Sequence, residues 1–313
     1  MLYLGIDLGG TNIAAGIVDD KGRILRKDST PTILSRPIEE IVGDMAELCR
    51  RLVKEEGLTM DDIAAIGLGS PGTVDNKNGV IVYSNNIPMK NIPMRKMLEE
   101  HFPGKPINLE NDANAAAYGE YIVNGNNAES FVFITLGTGV GGGVIINGKL
   151  YRGFNSAGGE LGHITLISGG EPCTCGKNGC WESYASVTAL IRQTKAAMAA
   201  NPESVMNEWS EKNGKVSGRT AFDCAKEGDK TAKEVVKQYA IYVADGLSSI
   251  INIFQPEKLS IGGGISKEGD YLLDPIKEFL AENDYNKYMP KTKVEIATLF
   301  NDAGIIGAAL SEA

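Results

Sequence analysis

The chain has 313 residues, enough for two ordinary domains, with a net charge of −9 and 42% apolar residues, the composition of a globular protein. No apolar run approaches the ~18–20 residues of a membrane span, and the acidic balance speaks against a nucleic-acid surface, which needs a basic patch. It leaves room for a nucleotide, because phosphates are also bound through backbone N–H groups and a metal.

From Leu2 to Leu25 the pattern is strand, Gly turn, strand, polar turn, strand. Leu2, Leu4 and Ile6 alternate, Asp7 ends the strand, Gly9-Gly10-Thr11 turns the chain, and Asp19-Asp20-Lys21-Gly22 makes the next hairpin. Met1 stands almost directly before the alternation, so no targeting segment is expected. A Gly-Gly-Thr turn exposes N–H groups and a hydroxyl that can cradle phosphate, although Gly-rich hairpins are common without a ligand. Apolar residues at helical spacing predict a helix over Ile38–Leu58, opened after Pro37, stopped by Gly57 and burying Cys49. Ile63 to Leu68 is a buried strand ending in the turn Gly69-Ser70-Pro71-Gly72. A short strand follows at Val80–Tyr83, then a helix at Met94–His101 with His101 on the surface. Ile107 to Leu109 is a strand running into Glu110-Asn111-Asp112 and a helix over Ala113–Val123. Taken alone, Asp112 reads first as a helix N-cap, worth about 1 kcal/mol.

Ser130 to Tyr151 repeats the opening unit, aligning Leu8 with Leu136, Gly9 with Gly137, and Ile17-Val18 with Ile145-Ile146. Such a duplication predicts two similar domains facing one another, with two turns to clamp one polyphosphate. Between Gly158 and Glu182 stand His163, Cys173, Cys175 and Cys180, four of the seven His and Cys residues of the chain, with Glu160, Glu171 and Glu182. Three thiolates and an imidazole form a closed tetrahedral set suited to structural Zn²⁺, with no open position for a catalytic water. A disulfide beside an unrelated His is the alternative, disfavoured by the odd cysteine count. Reduced thiols with zinc place the protein in the cytoplasm. Ser183–Ala199 reads as one amphipathic helix, Asn201–Gly218 as a surface excursion, and Thr231–Phe254 as a long helix broken by Gln255-Pro256. Cys224 falls in a helical stretch as a structural residue. Leu259 to Ile261 enters a third turn, Gly262-Gly263-Gly264, which also fits a plain strand-to-helix turn, and Asp302–Leu310 is the final helix.

GGELGH followed by CxCGxxGCxE, with ENDANAAAYGE and the paired Gly turns, resembles the ROK family of bacterial sugar kinases and sugar-responsive repressors, over the whole chain. The resemblance implies an α/β, two-domain actin-like ATPase fold, shared with hexokinases and heat-shock chaperones, with sugar and ATP in a cleft between the domains. The domains it implies are residues 1–112 with 300–313, the last helix returning to the first domain, and residues 113–299. The implied activity is transfer from ATP to the 6-hydroxyl of D-glucose, with fructose, mannose or an N-acetylhexosamine as alternative acceptors. Under the resemblance Asp7 positions Mg²⁺ through water. Gly9, Gly10, Thr11 and Asn12 hold phosphates together with Gly137, Thr138, Gly139 and Gly141, while Gly263 and Gly264 face the adenosine. Gly72, Asn111, Asp112, Glu160, His163 and Glu182 hold the sugar, Asp112 being the general base. His163 uses its other ring nitrogen on zinc, with Cys173, Cys175 and Cys180. Domain closure then excludes water, and the loop Asn85 to Asn91 is where room for an N-acetyl group would be made. A repressor of this family needs a helix-turn-helix arm before the first strand, and a sugar-binding protein without turnover would lack a base. The family further implies a homodimer or homotetramer.

Overall fold

The computed structural model describes residues 1–84, 87–125 and 128–311; Asn85 and Asn86, the start of the loop considered for N-acetyl groups, lie outside them. The chain divides into two units, one of Met1–Phe133, Gly143–Gly159 and Thr298–Ala313, the other of Ile134–Gly142 and Glu160–Ala297.

In chain order the elements are β1 (Leu2–Leu8), β2 (Asn12–Asp19), β3 (Ile24–Pro31), α1 (Ile38–Glu55), β4 (Ile63–Ser70), β5 (Thr73–Asp75), β6 (Val80–Ser84) and β7 (Met89–Ile92). There follow α2 (Met94–His101), β8 (Ile107–Asn111), α3 (Asp112–Asn124), β9 (Ser130–Leu136), β10 (Val140–Ile146) and β11 (Lys149–Leu150). The remainder is α4 (Glu182–Ala185), α5 (Val187–Ala200), α6 (Val205–Lys212), α7 (Thr220–Lys226), α8 (Lys230–Phe254), β12 (Lys258–Gly262), α9 (Asp270–Asn283), β13 (Lys293–Ile296) and α10 (Asp302–Leu310).

The duplication read from the sequence is visible in the sheets. Among the described residues one runs β3-β2-β1-β4-β8 and another β11-β10-β9-β12-β13, the same pattern of three consecutive strands followed by two later ones. In the first, β1 is antiparallel to β2 and parallel to β4, which is parallel to β8. A small sheet, β5-β6-β7, stands apart.

The period of two in β1, β2 and β4 sends alternate residues to opposite faces. Leu4, Ile6, Leu8, Ile13, Ile17, Ile66 and Leu68 form one core with Ile41, Met45, Leu48 and Leu52 of α1. The opposite face carries a row of glycines instead: Gly5 pairs with Gly16 on one side and Gly67 on the other. The last helix, α10, lies in that furrow. A Cβ on Gly5 would stand 1.9 Å from the Ile305 carbonyl oxygen, and one on Gly67 1.7 Å from that of Ala308. Glycine also brings α3 against α10, because a Cβ on Gly307 would sit 1.6 Å from the Ala115 carbonyl oxygen. The buried Glu120 of α3 accepts the N–H groups of Thr298 and Leu299 at 3.0 and 3.2 Å, fixing the segment that enters α10.

The sequence boundary at residue 112 separates α3 from the first domain. In the structure α3 groups with the first unit, because its glycines and Glu120 hold it to α10. The last helix, α10, groups with the first strands in this unit.

In the second unit α8 is the long central helix, 25 residues with one face buried. The predicted helix Ser183–Ala199 is two: Ser186 is extended, and its hydroxyl accepts the Ala189 N–H as the N-cap of α5. The polar excursion after Asn201 contains α6, capped by Ser204. Amphipathic periodicity does not report either cap. His101 is half-buried rather than a surface residue, its carbonyl accepting from Arg50 at 2.7 Å. Cys49 and Cys224 are buried, as read. Among the described residues no helix is long and apolar enough to cross a membrane.

Candidate active site

In the first unit, the turn after β1 is closed by the Gly9 N–H donating to the Asn12 carbonyl at 3.0 Å. Thr32 braces it from outside: its N–H donates to the Thr11 carbonyl at 2.8 Å and its hydroxyl to the Gly9 carbonyl at 2.7 Å. Thr11 and Asn12 are left exposed, Gly9 and Gly10 half-buried. Asp7 ends β1 beside the first turn of α10, where a Cβ on Gly304 would be 2.8 Å from its Oδ2. Burial, and then the nearby Asp112 charge, push the Asp7 carboxyl up to about 6. An anionic site that resists ionisation is one a cation would stabilise.

β8 delivers the second set of residues. The N-cap of α3 is Asn111, whose Oδ1 accepts the N–H groups of Ala113 and Asn114 at 3.0 and 3.1 Å. Asp112, read alone as that cap, is instead the first helical residue, and its Oδ1 accepts the adjacent Ala113 N–H at 2.8 Å. Burial raises its carboxyl above the usual range, opposed by the N–H and amide groups around it. The Nδ2 of Asn111 donates to the Gly72 carbonyl at 3.0 Å, which ties the turn after β4 to the end of β8. Gly72 itself has φ +92°, and a Cβ there would meet the Tyr83 carbonyl at 2.1 Å, so only glycine fits. Asp7, Gly72, Asn111 and Asp112 are therefore one cluster.

In the second unit, the Gly137 N–H closes the turn onto the Gly139 carbonyl at 3.0 Å. The start of α5 holds it, through Val187 N–H to the Gly137 carbonyl and the Thr188 hydroxyl to the Thr138 carbonyl. Gly263, with φ +87°, packs on the same place: a Cβ would lie 2.3 Å from the Leu136 carbonyl oxygen. Gly141 lies in β10 beyond the turn.

The thiol-rich segment folds back as a tight knuckle, Cys173 N–H donating to the Lys177 carbonyl at 2.8 Å and Gly179 N–H to that of Glu171 at 2.7 Å. The ligand atoms of His163, Cys173, Cys175 and Cys180 all lie within 4.8 Å of one another. Cys173 Sγ is 3.6 Å from His163 Nδ1, and Cys175 Sγ 3.6 Å from Cys180 Sγ. A tetrahedral site with Zn–S bonds of ~2.3 Å sets its sulfurs about 3.8 Å apart, so the donor set fits zinc and the thiols are free rather than bridged. Burial and the neighbouring thiols push Cys180 up to about 12, while the Lys177 N–H lowers Cys175. A metal ion bound by these thiols would displace their protons to solvent.

The knuckle is anchored and aimed by its last three residues. Cys180 is a buried donor, and Trp181 is fully buried against Gly246 of α8, its Nε1 donating to the Tyr242 carbonyl at 2.8 Å. Glu182 places Oε2 2.9 Å from the Val140 N–H and against Gly139, where a Cβ would collide with it at 2.3 Å. One carboxylate thus links the thiol knuckle to the Gly137–Gly139 turn. Glu160 stays exposed, with its carbonyl accepting the His163 N–H at 3.1 Å. Sequence reading missed Thr32, Trp181 and the interaction of Glu182 with Val140. Each depends on a contact with a distant segment, and only the CxE spacing around Trp181 offered a hint.

Two strand–Gly turn–strand units, each starting a five-stranded sheet of the same order, with a desolvated aspartate near the end of β1, define a protein of the actin-like ATPase fold. The model of the ROK family matches residues 3–311, and the chain belongs to that family. The glucokinase of Halalkalibacterium halodurans is 37% identical over 97% of this chain and 93% of its own length. A ROK glucokinase from Streptomyces griseus, solved in complex with glucose and AMPPNP, superposes with a TM-score of 0.83 at 36% identity, covering 99% of this chain and 98% of that one. A ROK hexokinase from Thermus thermophilus gives 0.81 at 37% identity, covering 99% and 97%.

Proposed function

We propose that this protein is a glucokinase, transferring the γ-phosphoryl group of ATP to the 6-hydroxyl of D-glucose to give glucose 6-phosphate. The observation that carries the reading is Asp112: a carboxylate at the start of α3, relieved of capping by Asn111 and made more basic by burial. A base poised in this way accepts a hydroxyl proton as the nucleophile attacks. Relatives named glucokinases, and a neighbour holding glucose with an ATP analogue, support the substrates.

Phosphoryl transfer asks a protein mainly for positioning and charge neutralisation. In this reading Gly9, Gly10, Thr11 and Asn12, with Gly137, Thr138, Gly139 and Gly141, hold the phosphates. Gly263 and Gly264 face the adenosine, and Asp7 positions Mg²⁺. Gly72, Asn111, Glu160, His163 and Glu182 bind sugar hydroxyls. Zinc on His163, Cys173, Cys175 and Cys180 would supply rigidity, not chemistry, because a closed site leaves no position for water. The His163 Nδ1 faces the thiols, which leaves Nε2 for the sugar. The reaction belongs in the cytoplasm, where ATP and reduced thiols coexist, and the family resemblance points to a homodimer or homotetramer.

A coupled assay of ADP release across glucose, fructose, mannose, N-acetylglucosamine and N-acetylmannosamine tests the reading. Glucose should give the highest kcat/KM, since carboxylates that expect hydroxyl donors disfavour an added acceptor carbonyl. An N-acetyl sugar at or above glucose overturns the substrate, and no ATP-dependent turnover of any hexose overturns the activity.

A further inference from the structure

Glu110 immediately precedes the Asn111–Asp112 turn, and its side chain is only 2% exposed. A carboxylate so buried is costly unless every lone pair finds a donor. Here four donors converge on it. Oε1 accepts the Asn111 N–H at 3.0 Å and Asn114 Nδ2 at 3.2 Å. Oε2 accepts Arg152 Nε at 2.7 Å and Asn76 Nδ2 at 3.2 Å. Neutralising the charge needs Arg152 alone. The other donors come from the catalytic turn itself, from the first turn of α3, and from the segment that follows Gly72 and β5.

That last segment is itself held firmly. Asn76 also donates to the Leu109 carbonyl at 2.6 Å, while Arg95 donates to the Asn76 carbonyl at 2.5 Å and to that of Ile107 at 3.0 Å. Glu110 therefore stands where three segments bearing the cluster meet: the Gly72 turn, the end of β8 and the start of α3. An ionised carboxylate suits this place because it only accepts; an amide would turn one oxygen into a donor facing other donors.

We propose that Glu110 is a positioning residue for the phosphoryl acceptor site, holding Asp112 and Asn111 in register with the Gly72 turn through Arg152, Asn76 and Asn114. The inference rests on Asp112 being the base. Glu110 touches no reacting atom and acts through its neighbour.

Glu110→Gln tests it. We expect kcat with glucose to fall about 10²-fold, the loss typical of a small misplacement of a reacting group, with the KM for ATP unchanged. The discriminating readout is the same substitution on an Asp112→Asn background. With no base left to position, the residual rate should not fall further, a non-additivity that a merely structural role would not produce. If Glu110→Gln does not fold, Arg152→Lys keeps the charge and loses the guanidinium geometry; it should lower kcat less, and again only when Asp112 is present. Full kcat in the folded variants, or an equal fold-loss with and without Asp112, overturns the proposal while leaving the kinase reading intact. A wild-type chain that phosphorylates no hexose removes both.

Discussion

Two aspartates of one cluster are tested by different measurements. Asp112→Asn keeps shape and the bond to the Ala113 N–H but cannot take a proton, so kcat should fall by roughly 10²–10⁴ with glucose binding largely retained. Retention of more than about a tenth of wild-type kcat would make Asp112 a binding group only. Asp7 tests the cost of such a site. Its carboxyl, pushed up to about 6 in the folded chain, stands above the ordinary aspartate value of 3.8, so between those values the folded chain binds more protons than the unfolded one. Stability therefore falls as pH rises through that window. Without nucleotide or Mg²⁺, Asp7→Asn should be more stable than wild type at pH 7.5 by about 1–3 kcal/mol, the difference vanishing near pH 4. Denaturant titrations at the two pH values check this; equal stability at pH 7.5 would mean the carboxylate is not strained. The same variant should lose turnover.

The knuckle between Glu160 and Glu182 is the element whose shape depends most on something other than apolar packing. Much of it is exposed, and its order comes from backbone bonds, the Trp181 anchor and the four donors. The purified protein should hold one Zn²⁺ per chain by elemental analysis. Cys175 is exposed, so Cys175→Ser removes a ligand with little direct packing loss. It should release the metal, lower Tm and raise the KM for glucose, because Glu182 and His163 lose their common support. Protein prepared without chelators that contains no zinc would refute the assignment, as would a metal-free variant with unchanged Tm and KM.

At the scale of the molecule, the last helix closes onto the first strands through missing side chains. The glycine row of β2, β1 and β4 lets the α10 backbone rest on the sheet backbone, and Glu120 fixes the approach. Gly67→Ala forces a methyl to within 1.7 Å of the Ala308 carbonyl oxygen and should destabilise by about 1–3 kcal/mol or more. Gly43, in the interior of α1 with nothing within 4 Å of its would-be Cβ, is the control. Gly43→Ala should stabilise by about 0.5–1 kcal/mol through helix propensity and a less free unfolded chain. Opposite signs in chemical denaturation distinguish packing from propensity; equal effects would show that the furrow is not tight.

Local and periodic information was legible in the sequence by itself. The alternation of Leu2, Leu4 and Ile6 specified β1, the helical spacing after Pro37 specified α1, and the repeated strand–Gly turn–strand specified two sheets of one plan. The concentration of His163 and three cysteines in a short Gly-rich segment marked a candidate metal site, because few other arrangements use those donors together. The motifs around Asn111 and Asp112 marked the cluster through family resemblance. Tertiary structure decided the rest: that Asn111 rather than Asp112 caps α3, that Ser186 splits a predicted helix, that α3 belongs with α10, and that Glu182 reaches Val140 and Glu110 gathers four donors. A cap, a collision and a hydrogen bond each depend on which distant atoms arrive within about 3 Å, and periodicity along a chain carries no record of that distance.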